Sequence, residues 1–280
     1  MNSIKQLSLL SFSVLSILAL TACGNSNAGN KQLNSSSAIK QIASAEKANS
    51  LSESTSKIQN ELDKAKKEGK AVFVVVTGTG TADTDKATTI AKGANAIYKN
   101  AAVIQMDRDD ASNAALVTEW RLAGAPLPII LVISPKGLPT GGFVLSQATA
   151  ENLAALIPTP RLEDVYAAIK SNKSALVVFT KKSLSDRYEV LKVCKDAVSK
   201  LNNNAVIVEV DMDDNNEANF INQLRIEKSA LASTTLVINA QGQVAGTSTS
   251  VPDATKLASA ATTPIKGGCG PGCGPAGCAK

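Results

Sequence analysis

The residues with the clearest capacity for chemistry are three cysteines near the C-terminus, Cys269, Cys273 and Cys278. Only Gly, Pro and Ala separate them, so the segment has too little apolar surface to form a core, and we expect a flexible tail with exposed thiols. Two close thiolates suit Cu(I), and a third completes a soft-metal site for copper or zinc. In an oxidising compartment, two of the thiols form a disulfide instead and leave one for an intermolecular bond. Both uses stay open at this point, as does a tail with no special role.

A fourth cysteine, Cys23, follows an apolar stretch that runs from Leu7 to Leu20. The stretch has the length of the hydrophobic region of a signal peptide, whereas a membrane-spanning helix needs about 20 apolar residues. The sequence Leu20-Thr-Ala-Cys23 resembles the lipobox of bacterial lipoproteins, in which the cysteine is acylated and becomes the mature N-terminus. The resemblance implies a signal peptide over residues 1–22 and an acyl anchor on Cys23 that holds the protein to a lipid bilayer.

The residues after Cys23 bear on where the protein would reside. Gly24 and Asn25 take the place of the aspartate that retains many Gram-negative lipoproteins in the inner membrane. The resemblance therefore favours the cell envelope and, in a Gram-negative organism, the outer membrane facing the periplasm. Residues 23–37 are rich in Gly, Ser and Asn, so we expect a polar tether rather than a packed element.

The amino-acid composition excludes several kinds of active site. The 280 residues include no histidine, which excludes Ser-His-Asp and Cys-His catalysis, histidine-ligated metals and a histidine pH switch. The net charge is +5, and the lysines are spread among acidic residues. Because no basic cluster with an aromatic platform is present, we do not expect nucleic acid as a partner. The length is sufficient for two modest domains.

The stretch from Lys70 to Gly137 predicts alternating strands and helices. The apolar, β-branched run Ala71–Thr77 predicts a buried strand. Residues 85–99 predict a helix, and further strands are expected over residues 102–107 and 127–133. Pro128 stands at the entry to the last of these strands, where its missing N–H is tolerated and a cis bond can form.

This order resembles the thioredoxin fold, in which an Asp-ended central strand, a short helix, a cis-proline and a strand that ends in a Gly turn follow one another. Asp107, the Leu116–Arg121 helix, Pro128 and Gly137 match these features. The resemblance implies an α/β fold with a mixed central sheet flanked by helices. It also implies that extended peptides bind at the loops near the first strand and the proline. The binding-loop candidates are Gly78, Thr79, Asp83, Leu127 and Pro128.

The sequence departs from that family at the residues that carry its redox chemistry. Where the family has Cys-x-x-Cys, this chain has Thr77-Gly-Thr-Gly-Thr-Ala-Asp83, with no cysteine. The loop also lacks the Gly-Lys-Ser/Thr ending of a phosphate-binding loop. We therefore expect a protein-binding or scaffolding module for an envelope protein, without a catalytic residue. The alternative is a thiol-disulfide oxidoreductase or a soft-metal carrier that uses the C-terminal cysteines.

The second half of the chain repeats the first at a nearly constant offset. Residues 175–180 match 72–77, and residues 206–211 match 102–107. Either Ser233 or Thr234 stands in the place of Pro128, and the loop Lys181–Asp186 again lacks cysteine. We therefore predict two tandem thioredoxin-like domains, over residues 38–158 and 159–262, followed by the Cys-rich tail over 263–280.

Three further features have structural interpretations. Asp211–Glu217 begins like a calcium loop, but Asn216 and Asn222 replace the Gly and Glu that such a loop requires, so we expect a strand end that leads into a helix cap. Cys194 lies among apolar residues of a predicted helix and is expected to be buried. Trp120 and Tyr188 are expected to pack into the core.

Overall fold

The structure is a computed structural model, and it describes residues 56–265. The predicted signal peptide and tether lie outside the described residues, and so do Cys23, Cys269, Cys273 and Cys278. Within the described range, no helix has the length and apolar character needed to cross a membrane.

Strands and helices follow the same order in each half of the described chain. The first half contains α1 (Lys57–Lys67), β1 (Ala71–Thr77), α2 (Thr84–Tyr98), β2 (Ala101–Asp107), α3 (Ala114–Glu119), β3 (Ile129–Ile133), β4 (Pro139–Val144) and α4 (Ala150–Ala155). The second half contains α5 (Pro160–Lys170), β5 (Ser174–Thr180), α6 (Arg187–Lys200), β6 (Ala205–Asp211), α7 (Ala218–Gln223), β7 (Thr234–Ile238), β8 (Val244–Thr249) and α8 (Ala254–Thr262).

Each half forms its own four-stranded mixed sheet. The strand orders are β2-β1-β3-β4 and β6-β5-β7-β8. In both sheets the first two strands run parallel, and the other two pair antiparallel to their neighbours. This topology is thioredoxin-like, and the predicted fold class of two tandem thioredoxin-like domains is confirmed.

The central strands are apolar on both faces because helices cover both sides of each sheet. Every residue of β1 and of β5 is buried. In the first domain, Phe73 and Val75 pack against α2 and α4, while the alternate valines of β1 pack against α1 and α3. The apolar face of α1, formed by Ile58, Leu62 and Ala65, is buried.

Caps define the region between the two domains. The Thr149 hydroxyl accepts a hydrogen bond from the Asn152 N–H over 3.1 Å and so caps α4. Pro160 is the first residue of α5, with Thr159 as the cap. Proline suits this position because its missing N–H has no helical partner there.

The strand registers identify the equivalent positions of the two domains. Val76 pairs with Ile129 in the first sheet, and Phe179 pairs with Thr234 in the second. Thr234 therefore corresponds to Ile129, and Ser233 corresponds to Pro128. The Leu127–Pro128 bond is cis, the isomer for which the sequence made Pro128 a candidate.

Candidate functional site

The first groove is the site formed by the loop Gly78–Asp83 and the segment Leu127–Pro128. A methyl group on Gly78 would lie 3.0 Å from Leu127 Cδ1 and 2.9 Å from Asp109 Oδ2. The structure therefore places Gly78 directly against Leu127, and there is no room for a side chain between the two segments. Pro128 itself is buried, and Leu127 is half-buried.

Hydrogen bonds fix the loop at the start of the first groove. The Thr79 N–H donates to Asp109 Oδ2 over 2.7 Å, and the Gly78 N–H donates to the Thr81 hydroxyl over 2.9 Å. The Thr81 N–H donates to the Gly78 carbonyl over 3.0 Å. The bond from Thr79 holds the pKa of Asp109 below its ordinary value. Because these amides are already used and a carboxylate lies among them, the loop does not form a phosphate cradle.

Asp83 occupies the far end of the same loop. It is exposed, has a left-handed φ of 59°, and its side chain makes no capping hydrogen bond to α2. Pro128 has no N–H that could donate a hydrogen bond to the Asp83 carboxylate. Of the binding-loop candidates, the structure therefore brings Gly78, Leu127 and Pro128 together, with Thr79 beside Asp109, and leaves Asp83 outside this contact.

The second groove is the equivalent site, formed by Lys181–Asp186 and Ala232–Ser233. Here the Asp186 carboxylate accepts hydrogen bonds from the Ser233 N–H over 2.8 Å and from the Ser233 hydroxyl over 2.9 Å. The Thr180 hydroxyl lies 2.8 Å from that of Ser233. Sequence reasoning missed this cluster, although the constant offset between Asp83 and Asp186 was a signal for it.

The aspartates at the strand ends cap turns. Asp110 and Asp214 accept hydrogen bonds from Ser112 and Asn216 at the start of two short 3-10 helices, as the sequence indicates. Asp107 and Asp211 each accept from the N–H two residues later. Among residues 56–265, no three His, Cys, Asp or Glu side chains are grouped to hold a metal ion.

Cys194 and two aromatic residues complete the set of sequence candidates. Cys194 is fully buried on α6, as predicted, and this burial raises the pKa of its thiol to about 11, with Thr235 acting weakly in the opposite direction. Trp120 is half-buried against the core. The expectation for Tyr188 was wrong, because this residue is 81% exposed at the start of α6.

A polar joint connects the two domains, and sequence reasoning did not identify it. Glu163 of α5 accepts a hydrogen bond from the main-chain N–H of Lys136, in the turn after β3. The Lys136 ammonium pairs with Asp164, and Lys170 lies 3.6 Å from Glu119. A cleft of about 730 Å³ borders this joint and is lined in part by Lys66, Tyr98 and Glu163.

Comparison with known proteins finds solved structures that match this chain at low sequence identity. No family model and no curated protein sequence matches the chain. Human ERp44 form II matches with 12% identity and a TM-score of 0.32, over 71% of this chain and 53% of that one. The first two thioredoxin domains of Eps1p from Saccharomyces cerevisiae match with 12% identity and a TM-score of 0.28, over 74% of this chain and 96% of that one.

The corresponding domains of Eps1p from Naumovozyma dairenensis give 12% identity and a TM-score of 0.28, over 72% of this chain and 95% of that one. The chain spans about half the length of the ERp44 chain that it matches. Such values carry no conclusion about activity or partners. The thioredoxin-like architecture rests on the strand order and register described above.

Proposed function

We propose that the chain is a lipid-anchored, extracytoplasmic protein that binds or scaffolds a protein partner in the cell envelope. The fold holds two loops of the first groove against each other, with Gly78 in contact with Leu127. Neither Thr77–Asp83 nor Lys181–Asp186 contains a cysteine, so the positions that carry redox chemistry in thioredoxins lack the required thiols. A fixed site without these thiols supports binding rather than thiol-disulfide exchange.

The proposed localisation follows from the N-terminal sequence. Cys23, after an apolar stretch and Leu20-Thr-Ala, is the proposed site of acylation and of the contact with the lipid bilayer. Several acyl chains on one residue anchor stably, whereas a single chain binds only marginally. Residues 23–37 then act as a tether to the thioredoxin-like domains, and the outer membrane facing the periplasm is the proposed site in a Gram-negative organism.

The first groove is suited to binding because its loops are ordered before a partner arrives. The hydrogen bonds of Gly78, Thr79 and Thr81 fix the loop, so a partner does not have to supply the free energy for ordering it. Thr79 remains exposed at the rim, and Leu127 is only half-buried. These two residues offer a polar and an apolar contact to a peptide that lies across the groove.

The test is capture of an envelope protein by the acylated full chain and by two proline variants. Pro128→Ala changes the buried residue of the groove, while Pro126→Ala changes an exposed residue two positions earlier. We expect Pro128→Ala to reduce the captured partner and Pro126→Ala to leave it unchanged, with both variants folded by circular dichroism. Equal capture by all three proteins would remove the main support for the proposal.

The second candidate function is thiol-disulfide exchange or metal binding by the C-terminal cysteines. Cys269, Cys273 and Cys278 lie within ten residues of one another, which favours thiol-disulfide exchange or the binding of copper or zinc. The test is metal content and free-thiol count on protein purified anaerobically, beside a variant with all three cysteines changed to serine. Bound copper or zinc that the variant loses would support metal handling, and an oxidised, metal-free tail would support disulfide chemistry.

A further inference from the structure

The cleft beside the joint between the two domains lies at the end of the first sheet where β1 and β2 begin. Gly69 and Asn100 line it just before those strands, and Pro135 lines it just after β3, which runs in the opposite direction. The first groove lies at the other end of this sheet, after β1 and before β3. The cleft is therefore a separate cavity. Its volume of about 730 Å³ and its place between two domains are typical of small-molecule sites.

Glu163, on α5, supplies a buried carboxylate to this cleft. Glu163 is 4% exposed, and within residues 56–265 its carboxylate accepts one hydrogen bond, from the Lys136 N–H to Oε1. A carboxylate has lone pairs for about four hydrogen bonds. Because a buried charge is costly unless it is hydrogen-bonded, donors from a ligand in the cleft would stabilise this carboxylate.

Tyr98 places a phenol in the same cleft, close to that carboxylate. Tyr98 is half-buried, and burial, together with the nearby charge of Glu163, raises the pKa of the phenol. The hydroxyl group therefore stays protonated in neutral solution, and it can both donate and accept a hydrogen bond. Pro135 and the buried Pro158 give the cleft an apolar surface against which the carbon atoms of a ligand can pack.

Two lysines add positive charge at the rim of the cleft, Lys66 and Lys136. The Lys136 ammonium pairs with Asp164, whereas Lys66 takes part in none of the ion pairs within residues 56–265. The stem of Lys66 lies over the turn after β3, since a methyl group on Gly137 would be 3.1 Å from Lys66 Cδ. Lys66 is exposed, so its ammonium group is available to an anionic group of a ligand.

We propose that this cleft binds a small zwitterion, an amino acid or a short peptide, with its ammonium group on Glu163 and Tyr98 and its carboxylate on Lys66. An ammonium group has three N–H donors and no acceptor, which suits a carboxylate beside a phenol oxygen. Glu163 would repel a ligand that carried only negative charge, and Lys66 would repel one that carried only positive charge. The site is distinct from the proposed capture of an envelope protein, because it lies at the opposite end of the sheet from the first groove.

The second domain has a cavity at the equivalent position without these groups. The registers of the two sheets align Tyr98 with Asn202 and Pro135 with Ala240. Asn202 and Ala240 line a cavity of about 540 Å³, and none of the residues that line it is acidic or aromatic. An ammonium group would find no carboxylate there, so this cavity is an internal control for the proposed site.

Binding is tested by isothermal titration calorimetry of the full chain with L-alanine, L-alanyl-L-alanine and L-alanyl-L-alanyl-L-alanine, in which the two charges are increasingly far apart. Acetylation of the amino group or amidation of the carboxyl group removes one charge from each probe. We expect one length to bind best, and each blocked form of it to bind roughly tenfold more weakly, the factor for one lost charged hydrogen bond. Failure of all three probes to bind, or equal binding of blocked and unblocked forms, would overturn the proposal.

Variants of the full chain assign the two charges of the ligand to their residues. Glu163→Gln keeps an oxygen that can accept from the Lys136 N–H but removes the charge, so it should weaken zwitterion binding roughly tenfold. Lys66→Met should weaken binding of the zwitterion and leave binding of its amide unchanged. Lys67→Met changes an exposed neighbour that does not line the cleft, and it should bind like the native chain. Unchanged affinity in Glu163→Gln would overturn the assignment.

NMR spectra of the full chain locate the bound probe. We expect its largest amide shifts at Tyr98 and Lys136, and no shifts at Asn202 and Gln241 of the second cavity. Equal or larger shifts at the second cavity would contradict the placement. If Glu163→Gln does not fold, Tyr98→Phe takes its place, because it removes only the hydroxyl group, and it should weaken binding by a smaller factor.

Discussion

The main-chain N–H of Lys136 donates a hydrogen bond to Glu163 Oε1 over 2.6 Å, and this contact joins the turn after β3 to the helix α5. Glu163 is only 4% exposed. On the same helix, Asp164 pairs with Arg161 over 3.0 Å and also with the Lys136 ammonium. The turn of the first domain is thus bound by two carboxylates of the second. Interfaces between domains of one chain often permit motion, and this joint opposes it with a hydrogen bond to the buried Glu163 carboxylate and with more exposed ion pairs beside it.

Substituting Glu163 should weaken the joint. Glu163→Ala leaves the Lys136 N–H without its buried acceptor, so we expect the free energy of unfolding to fall by about 1–3 kcal/mol. Urea denaturation measures the loss. Glu151→Ala, at an exposed position of α4, is the control and should change stability little. Equal midpoints for the two variants would show that the contact does not stabilise the joint.

A side chain at Gly78 should disturb the first groove. The added methyl group of Gly78→Ala would meet Asp109 Oδ2 at 2.9 Å and Leu127 Cδ1 at 3.0 Å, so either the loop or Leu127 must shift. We expect a loss of about 1–3 kcal/mol in stability from overpacking, together with weaker partner capture.

A double variant separates the two contacts of Gly78. Leu127→Ala removes one of the atoms that the new methyl group would meet, so its combination with Gly78→Ala should cost less than the sum of the two single changes. Additive costs would show that Gly78 and Leu127 do not constrain each other.

The bond between Asp109 and Thr79 should persist into mildly acidic solution. Because the Thr79 N–H lowers the pKa of Asp109 below 3.8, the bond is present above that pH and is lost as pH falls through the lowered value. NMR titration of the Asp109 carboxyl and the Thr79 amide measures this, with both expected to share a midpoint below 3.8. In Asp109→Asn the Thr79 amide should no longer follow that titration. A midpoint at or above the ordinary value would contradict the hydrogen bond.

Cys194 should make the protein less stable in alkaline solution. Burial raises the pKa of its thiol from 9.0 to about 11, so the folded protein keeps a proton that the unfolded chain releases. The contribution is complete below pH 9 and is lost as pH rises from 9 to about 11, by roughly 1.4 kcal/mol per pH unit. Denaturation curves between pH 8 and 11 should therefore be steeper in pH for the native chain than for Cys194→Ala. Parallel pH dependence of the two proteins would contradict this.

The sequence was sufficient for the architecture because the patterns that define it are local. The β-branched runs of β1 and β5 favour buried strands, and Pro128 at the entry to a strand was the candidate for the cis bond. The internal sequence repeat then predicted the same order of strands and helices in the second half of the chain. Helix ends are harder to place from sequence, since a proline such as Pro160 can end one helix and also suits the first position of the next.

The contacts between side chains distant in sequence could not be predicted in this way. Glu163 reads as an ordinary residue of an amphipathic helix, and only the packing of α5 beside the turn of Lys136 buries it. The same holds for Asp186 and Ser233, which are 47 positions apart in the chain. Tyr188 was misassigned because an aromatic residue near a helix start carries no local sign of the face that it occupies.

The equivalent registers of the two sheets also bear on how such a chain could diverge. Each residue pair from Ala71↔Ala101 to Thr77↔Asp107 has a counterpart from Ser174↔Ala205 to Thr180↔Asp211. A proline precedes β3 in one copy and a serine precedes β7 in the other, while the pairing of these strands with their neighbours is the same. The residue before this strand can therefore differ between the copies without a shift in register.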